Sequence, residues 1–288
     1  MMALDASDRD PLASPQPDAP SVRALLARLD LDRRVAGEAD DLALLEAAGR
    51  MFARFPYENL SKVLKDERCA GVEAALRGPR EVIADHLRSG TGGTCFSLTA
   101  ALLFVVRALG FEAEPLLADR RYGADTHCAL AVRLARRRYL LDPGFLLVRP
   151  VPIGEGRQLI ATPYSDVLLE PVGEGRRLEL HTRQNGSESH RLTFKTEPAD
   201  AAAFLRAWRA SFDWDMMRYP VLARVAGARQ KYLQGRRLQT RSRDRVERAE
   251  IGADELAGRI SHEFGVRGEV VAAALRVFAR RGGRRVGA

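Results

Sequence analysis

The chain has 288 residues, 46% of them hydrophobic and 29% charged, enough to bury a sizeable core, and its longest apolar run, Leu98–Val106, contains a threonine and is far too short to span a bilayer. The net charge of +8 comes mostly from arginine mixed with 38 acidic residues; no zinc-ligand spacing, helix-turn-helix or aromatic platform accompanies it, which points away from nucleic acid and toward a small anionic ligand. Three cysteines without a C-x-x-C, and a start lacking any signal pattern, predict a cytoplasmic chain with reduced thiols.

Residues 1–20 are rich in proline and aspartate and predict a disordered tail. From Ser21, Val22, Leu25, Leu26 and Leu29 recur at helical spacing, and a second helix is predicted over Asp41–Phe52. Arg54–Leu64 reads as an irregular connector, followed by a weak helix near Pro79–Arg88. Gly92, Gly93 and Thr94 then lead into Cys95 and a helix through Leu98, Ala101, Leu102, Val105 and Leu109, with Gly110 as its stop. The glycine pair predicts a sharp turn and close approach to a ligand.

Beyond Gly110 the pattern alternates. Strands are predicted at Ala113–Leu117 and His127–Leu134, with Arg138–Leu141 as the return limb of a hairpin. Shorter strands follow at Val167–Glu170, Leu178–His181 and Arg191–Thr196. A helix from Asp200 leads to Phe212, Trp214 and Tyr219. Two strands flank Gln234-Gly235, and amphipathic helices close the chain at Ala253–Phe264 and Gly268–Arg280. The fold class is α+β, with no internal repeat.

A free cysteine is usually a small core residue. Cys95 differs in its place: at a helix start, unpaired amide N–H groups and the macrodipole favour the thiolate. His127 lies on a strand with its side chain opposite the apolar face of Cys128, Leu130, Val132 and Leu134, and Asp142 ends the neighbouring strand. The order Cys95, His127, Asp142 is what nucleophilic acyl transfer needs: a thiol, a base to take its proton, and an acid to orient the base. Zinc held by Cys95, His127, Cys128 and Asp142 is the competing use. His127 and Cys128 point to opposite strand faces, which leaves three ligands at most, so no metal is expected. Cys69 and Cys128 read as structural, as do or lie at the surface His86, His181, His190 and His262.

These residues resemble the arylamine N-acetyltransferase family over most of the chain. Phe55-Pro56-Tyr57-Glu58-Asn59-Leu60 is similar to its proline-aromatic-Glu-Asn-Leu signature, and Gly92-Gly93-Thr94-Cys95-Phe96 to the segment around its nucleophile. His127 and Asp142 keep its spacing of base and acid, Asp142-Pro143-Gly144-Phe145 is similar to its Asp-Val-Gly-Phe, and Phe264-Gly265-Val266 to its C-terminal end. The resemblance implies a three-part, cysteine-protease-like architecture: a helical domain over 21–112 with Cys95, a central antiparallel β-barrel over 113–198 with His127 and Asp142, and an α/β lid over 199–288. It implies a two-step exchange in which Cys95 takes an acyl group from acetyl-CoA and an arylamine-like acceptor then attacks the thioester. Phe145, with Phe96 and Gly144, would line the substrate pocket, and backbone N–H groups near Cys95 would hold the oxyanion. The residues that hold CoA and the oligomeric state are not read from the sequence.

Three departures stand out. The family arginine four residues before the cysteine is Thr91 here, and the glutamate two after it is Ser97, which predicts loss of a partner for Glu58. The glycine after the family's Asp-Val-Gly-Phe is Leu146, which narrows the approach of a pantetheine arm. A macrolactam-forming amide synthase is a variant on the same fold. A transglutaminase-like cysteine peptidase or amidase also runs Cys, His, Asp-Pro, and a non-catalytic binding module is the third reading.

Overall fold

The computed structural model describes residues 11–12, 14–31, 41–184 and 186–282. Helix α1 (Pro20–Arg28) buries Val22 and Leu26, and α2 (Asp41–Phe52) buries Leu45, Ala48, Met51 and Phe52. A two-residue strand β1 (Tyr57–Glu58) precedes α3 (Leu60–Arg68), the single turn α4 (Val72–Ala75) and α5 (Pro79–Ser89). Helix α6 (Cys95–Ala108) is apolar on all sides, and every residue in it except Arg107 is buried, so the N-terminal core is packed around it. Part of the expected disordered tail is tied down here: Leu12 packs on this core and its carbonyl accepts a hydrogen bond from Arg107 at 2.8 Å. The rest of that expectation, residues 1–10 and 13, lies outside the described residues, as does the chain end from 283.

Eight strands follow: β2 (Glu112–Arg120), β3 (Gly123–Leu134), β4 (Arg137–Asp142), β5 (Leu147–Pro152), β6 (Gln158–Ala161), β7 (Asp166–Val172), β8 (Arg177–Gln184) and β9 (Ser187–Lys195). They form one antiparallel sheet in the order β5-β4-β3-β2-β9-β8-β7-β6. Val151 of β5 and Val167 of β7, from opposite ends of that order, share a buried cluster with Phe194 of β9, so the sheet curls into a half-barrel around its own core. The edge strands β5 and β6 are not paired with each other. On β3 the alternation read from the sequence holds: Leu130 and Val132 pack on the α6 core while Ala129 and Ala131 face the barrel. The hairpin register, left open by sequence, pairs Leu130 with Leu141.

The last part contains α7 (Ala201–Ala210), N-capped by the Asp200 carboxylate on the Ala203 N–H at 2.6 Å, then β10 (Val221–Ala226), β11 (Arg229–Gln234), β12 (Arg237–Arg241), β13 (Val246–Glu250), α8 (Leu256–Phe264) and α9 (Gly268–Gly282). Its five-stranded sheet runs β1-β10-β11-β12-β13 and therefore takes in a strand from the N-terminal third. Helix α3 does the same: Leu60 and Val63 are buried with Ile260, Val271 and Phe278, and Asp66 and Glu67 pair with Arg281 and Arg280. The stretch Arg54–Leu64 is thus no irregular connector but a strand and the start of a helix. With four charged residues in Leu60–Arg68, Lys65 to Arg68, left outside the core, its short apolar stripe is legible only against its partner.

Candidate active site

Strand β1 clamps the segment that leads into Cys95. The Glu58 N–H donates to the Gly93 carbonyl at 2.9 Å, and the Gly93 N–H donates to that of Pro56 at 3.3 Å. A Cβ on Gly92 would lie 1.9 Å from the Pro56 oxygen, and one on Gly93 2.2 Å from Ser97 Oγ. Neither glycine has a positive φ. The pair therefore serves close packing of chain on chain, which replaces the sharp turn and ligand approach expected from sequence. His86 braces the same segment from the other side: its ring stacks on Phe55 with centroids 3.7 Å apart, and its Nδ1 lies 2.9 Å from the Thr91 carbonyl.

Glu58 is fully buried and keeps its partners despite Thr91. Its carboxylate accepts from the Ser61 N–H at 2.8 Å, the Ser61 hydroxyl at 2.5 Å and the Gly92 N–H at 3.2 Å. Arg77, 3% exposed, brings a guanidinium to within 4.0 Å of it while donating to Ser61 Oγ and the Gly92 carbonyl, each at 2.7 Å. An arginine from another segment thus supplies the charge whose loss the sequence predicted. Asn59 ties this platform to the C-terminal part, donating to the carbonyls of Met216 and Tyr219 and accepting from the Val221 N–H.

Cys95 is the first residue of α6, whose N-terminus has no side-chain cap, and is 1% exposed. Against its Cβ lies Gly144, in the loop after β4. A Cβ at Gly144 would sit 2.9 Å from Cys95 Cβ and 3.1 Å from His127 Cε1, so thiol side chain and imidazole face each other across that backbone. His127 and Asp142 are both fully buried, with Nε2 2.6 Å from Oδ2. The other carboxylate oxygen accepts the Phe145 N–H at 2.8 Å, which fixes the carboxylate plane. His127 Nδ1 lies 3.0 Å from Arg120 Nη2. A guanidinium only donates, so in this pairing Nδ1 accepts and Nε2 carries the proton given to Asp142.

A hydrogen bond with the Cys128 thiol holds the Cys95 thiol well below its ordinary pKa; burial opposes this, and the His127 ring and the Arg120 charge reinforce it. Burial pushes the His127 imidazole down, but the Asp142 charge and hydrogen bond carry it above its usual value against Arg120. Cys128 is itself driven well up, by burial first and then by Cys95. Cys128, read from sequence as structural, is buried in one cluster with Cys95 and so also bears on the acidity of its thiol. Among the described residues no group of three His, Cys, Asp or Glu side chains could hold a metal ion.

A cavity of about 730 Å³ lies beside this cluster; Arg120 and Gly144, the neighbours of His127 and Cys95, are in its wall, while Cys95, His127 and Asp142 themselves lie behind it. Gly144, Phe145 and Leu146 line it together with Tyr57, Arg120 and Trp214. Phe96, expected beside the substrate, does not. One residue on from Cys95, it is turned by about 100° around the helix. It is fully buried, with ring centroids 5.4 Å from Phe204 and 6.2 Å from Trp208. Leu146 has φ +67°, the left-handed region that favours glycine, which gives a backbone reason for the family's glycine at this place.

Sequence reading missed four residues here: Arg77, Arg120, Lys62 and, as a partner of the thiol, Cys128. Lys62 is 4% exposed, donates to the Ser211 carbonyl at 2.8 Å and hydroxyl at 2.6 Å, and lies 4.0 Å from the centroid of the Phe212 ring. Each is a charged or polar residue in an unremarkable local pattern, and only tertiary burial marks it out.

A model of the N-acetyltransferase family matches residues 41–272. The arylamine N-acetyltransferase of Mycolicibacterium smegmatis is 30% identical over 189 residues, which cover 60% of this chain and 64% of that relative, a little under two thirds of its length. Among solved structures, the arylamine N-acetyltransferase of Mycobacterium abscessus is similar with a TM-score of 0.75 at 18% identity, covering 96% of this chain and 99% of that one. The arylamine N-acetyltransferase of Mycobacterium marinum in complex with CoA has a TM-score of 0.73 at 18% identity, covering 90% and 97%. The curled half-barrel between helical and mixed parts is the cysteine-protease-like fold of these neighbours. By the extent of the family match and the architecture together, the chain belongs to the arylamine N-acetyltransferase family.

Proposed function

We propose that this chain transfers a short acyl group, acetyl being the reference case, from acyl-CoA to an arylamine-like amine through a thioester on Cys95. The observation that carries the reading is a buried, acidified thiol at an uncapped helix N-terminus, facing an imidazole that a fully buried carboxylate holds at 2.6 Å. His127 Nδ1 takes the thiol proton, and Asp142 on Nε2 keeps the tautomer and steadies the imidazolium. The Cys95 sulfur attacks the donor carbonyl carbon, and the oxyanion lies toward the free N–H groups at the start of α6. The carbon–sulfur bond to CoA then breaks, and the CoA sulfur takes the proton from His127. An amine attacks the Cys95 thioester in the second half, with His127 again as base, and the thiol is restored.

Support for CoA as the donor carrier comes from the family and from the Mycobacterium marinum relative solved with CoA. The cavity beside Gly144, Phe145 and Leu146 has room for a thioester and an acceptor ring. Intact-mass measurement after mixing with acetyl-CoA tests the reading. One acetyl group on the wild-type chain and none on Cys95→Ser is the expected result; no adduct with any short acyl-CoA, combined with cleavage of a peptide amide, would replace the transferase with a hydrolase.

A further inference from the structure

Arg120 stands where β2 bulges against β3, between Ala118 and Arg120. Its N–H donates to Thr126 Oγ1 at 3.2 Å, and that hydroxyl donates to the Gly123 carbonyl at 2.8 Å, so the backbone beneath the side chain is pinned. The side chain lines the cavity. Its Nη2 is on His127 Nδ1, while its Nε is buried with no hydrogen-bond partner. Among the described residues no carboxylate lies within ion-pair distance of it; Asp142, the acid nearest in the site, is already engaged by His127 and the Phe145 N–H. Arg77, the other arginine of the site, is paired with Asp85 at 2.9 Å and flanked by Glu58 and Glu81. The fold satisfies one arginine and leaves the other unmatched at the nucleophile.

We propose that Arg120 recognises an acyl donor whose acyl chain ends in a carboxylate, the malonyl and succinyl class, and that this carboxylate frees the catalytic base; the proposal rests on the acyl-transfer reading above. His127 Nδ1 has one lone pair. It accepts from Arg120 or it takes the Cys95 proton, and the two uses exclude each other. A carboxylate a few bonds beyond the thioester carbonyl meets the guanidinium fork, including the unpartnered Nε, and draws it off the ring. Nδ1 then takes the thiol proton, the Cys95 sulfur bonds to the acyl carbon, the acyl bond to CoA breaks, and the CoA sulfur takes the proton from His127. A plain acetyl donor offers Arg120 nothing in exchange for the imidazole.

Alkylation of the thiol reads this cation without any acyl donor, because iodoacetate carries a carboxylate one carbon from the sulfur it modifies and iodoacetamide does not. Measured on intact protein, the iodoacetate-to-iodoacetamide rate ratio at Cys95 is expected to exceed that of free cysteine by on the order of tenfold, the scale of a charged hydrogen bond. It should collapse in Arg120→Met and be partly kept in Arg120→Lys; an Arg120→Met chain that fails to fold reveals itself by alkylating the fully buried Cys128 as well, and Arg120→Lys then carries the comparison. Equal ratios in wild type and variant overturn the proposal. In the second arm, succinyl- and malonyl-CoA acylate Cys95 faster than acetyl- and propionyl-CoA, and that preference falls with Arg120→Met. If acetyl-CoA is the fastest of the four, the carboxylate assignment is overturned and acyl transfer stands. If none forms an adduct, acyl transfer itself falls and takes the donor assignment with it.

Discussion

Replacing Lys62 with methionine should stabilise the protein near neutral pH and stop doing so in alkali. Burial lowers the Lys62 ammonium from 10.5 to about 7, with Cys95, Asp66 and Asp213 pulling the other way. A shift of that size, at about 1.4 kcal/mol per pH unit, means that holding the charged form inside costs folding about 5 kcal/mol. The unfolded chain binds this proton up to about pH 10.5, the ordinary lysine value, and the folded chain releases it near 7. Between those values the unfolded state holds more protons, so stability rises with pH; as pH falls through the folded value the gain is gone and the full cost remains. Lys62→Met removes the charge and also two hydrogen bonds to Ser211, about 1 kcal/mol each. The variant should therefore gain about 3 kcal/mol at pH 6.5 and lose about 2 kcal/mol at pH 10.5 relative to wild type. Urea unfolding across that range checks it. A pH-independent difference, or a variant less stable than wild type at pH 6.5, would refute the reasoning.

Asp142→Asn removes the charge that carries the His127 imidazole above its usual value, so the ring loses its proton more readily and the thiol pairs with it less; the pH profile of Cys95 alkylation should move to alkaline pH with the fold intact, and an unmoved profile counts against the orienting role. Cys128→Ala takes away the strongest acidifying contact of Cys95, and the same alkylation profile should shift in the same direction; unaltered reactivity at acid pH would mean that His127 and Arg120 suffice. Gly144→Ala is sterically free in its backbone but sets a methyl 2.9 Å from Cys95 Cβ and 3.1 Å from His127 Cε1. Pushing Cys95 and His127 apart should lower acylation on the order of a hundredfold with little change in unfolding midpoint, and wild-type rates would show that the loop yields.

Much of this site was legible before any coordinates. Cys95 could be placed because α6 has an apolar pattern with clear ends, and His127 because Cys128, Leu130 and Val132 mark one face of β3. Asp142 followed from a hairpin, but the register of that hairpin and the Phe145 N–H that holds the carboxylate are not encoded in composition. Local pattern misled at the glycine pair, whose small size answers to Pro56 and Ser97 from neighbouring elements. It was silent on Lys62, Arg77 and Arg120, since nothing in a run such as Leu60–Arg68 tells a buried charge from a solvated one. Leu146 is the converse case: the departure from glycine was visible, while the left-handed backbone that makes it costly, about 1–2 kcal/mol, was not. Strand β13 shows the same limit in the fold, because four of the five residues Val246–Glu250 are exposed and only pairing with β12 makes them a strand.

Following a single acyl group tests the Cys95 thioester most directly. Wild-type protein is loaded with labelled acyl-CoA, freed of excess donor, and mixed with an arylamine while intact mass and product are recorded together. The label is expected to sit on Cys95 and to move to the amine one for one, far faster than it is lost to water. Label on another residue, or loss at the same rate with and without the amine, would contradict it.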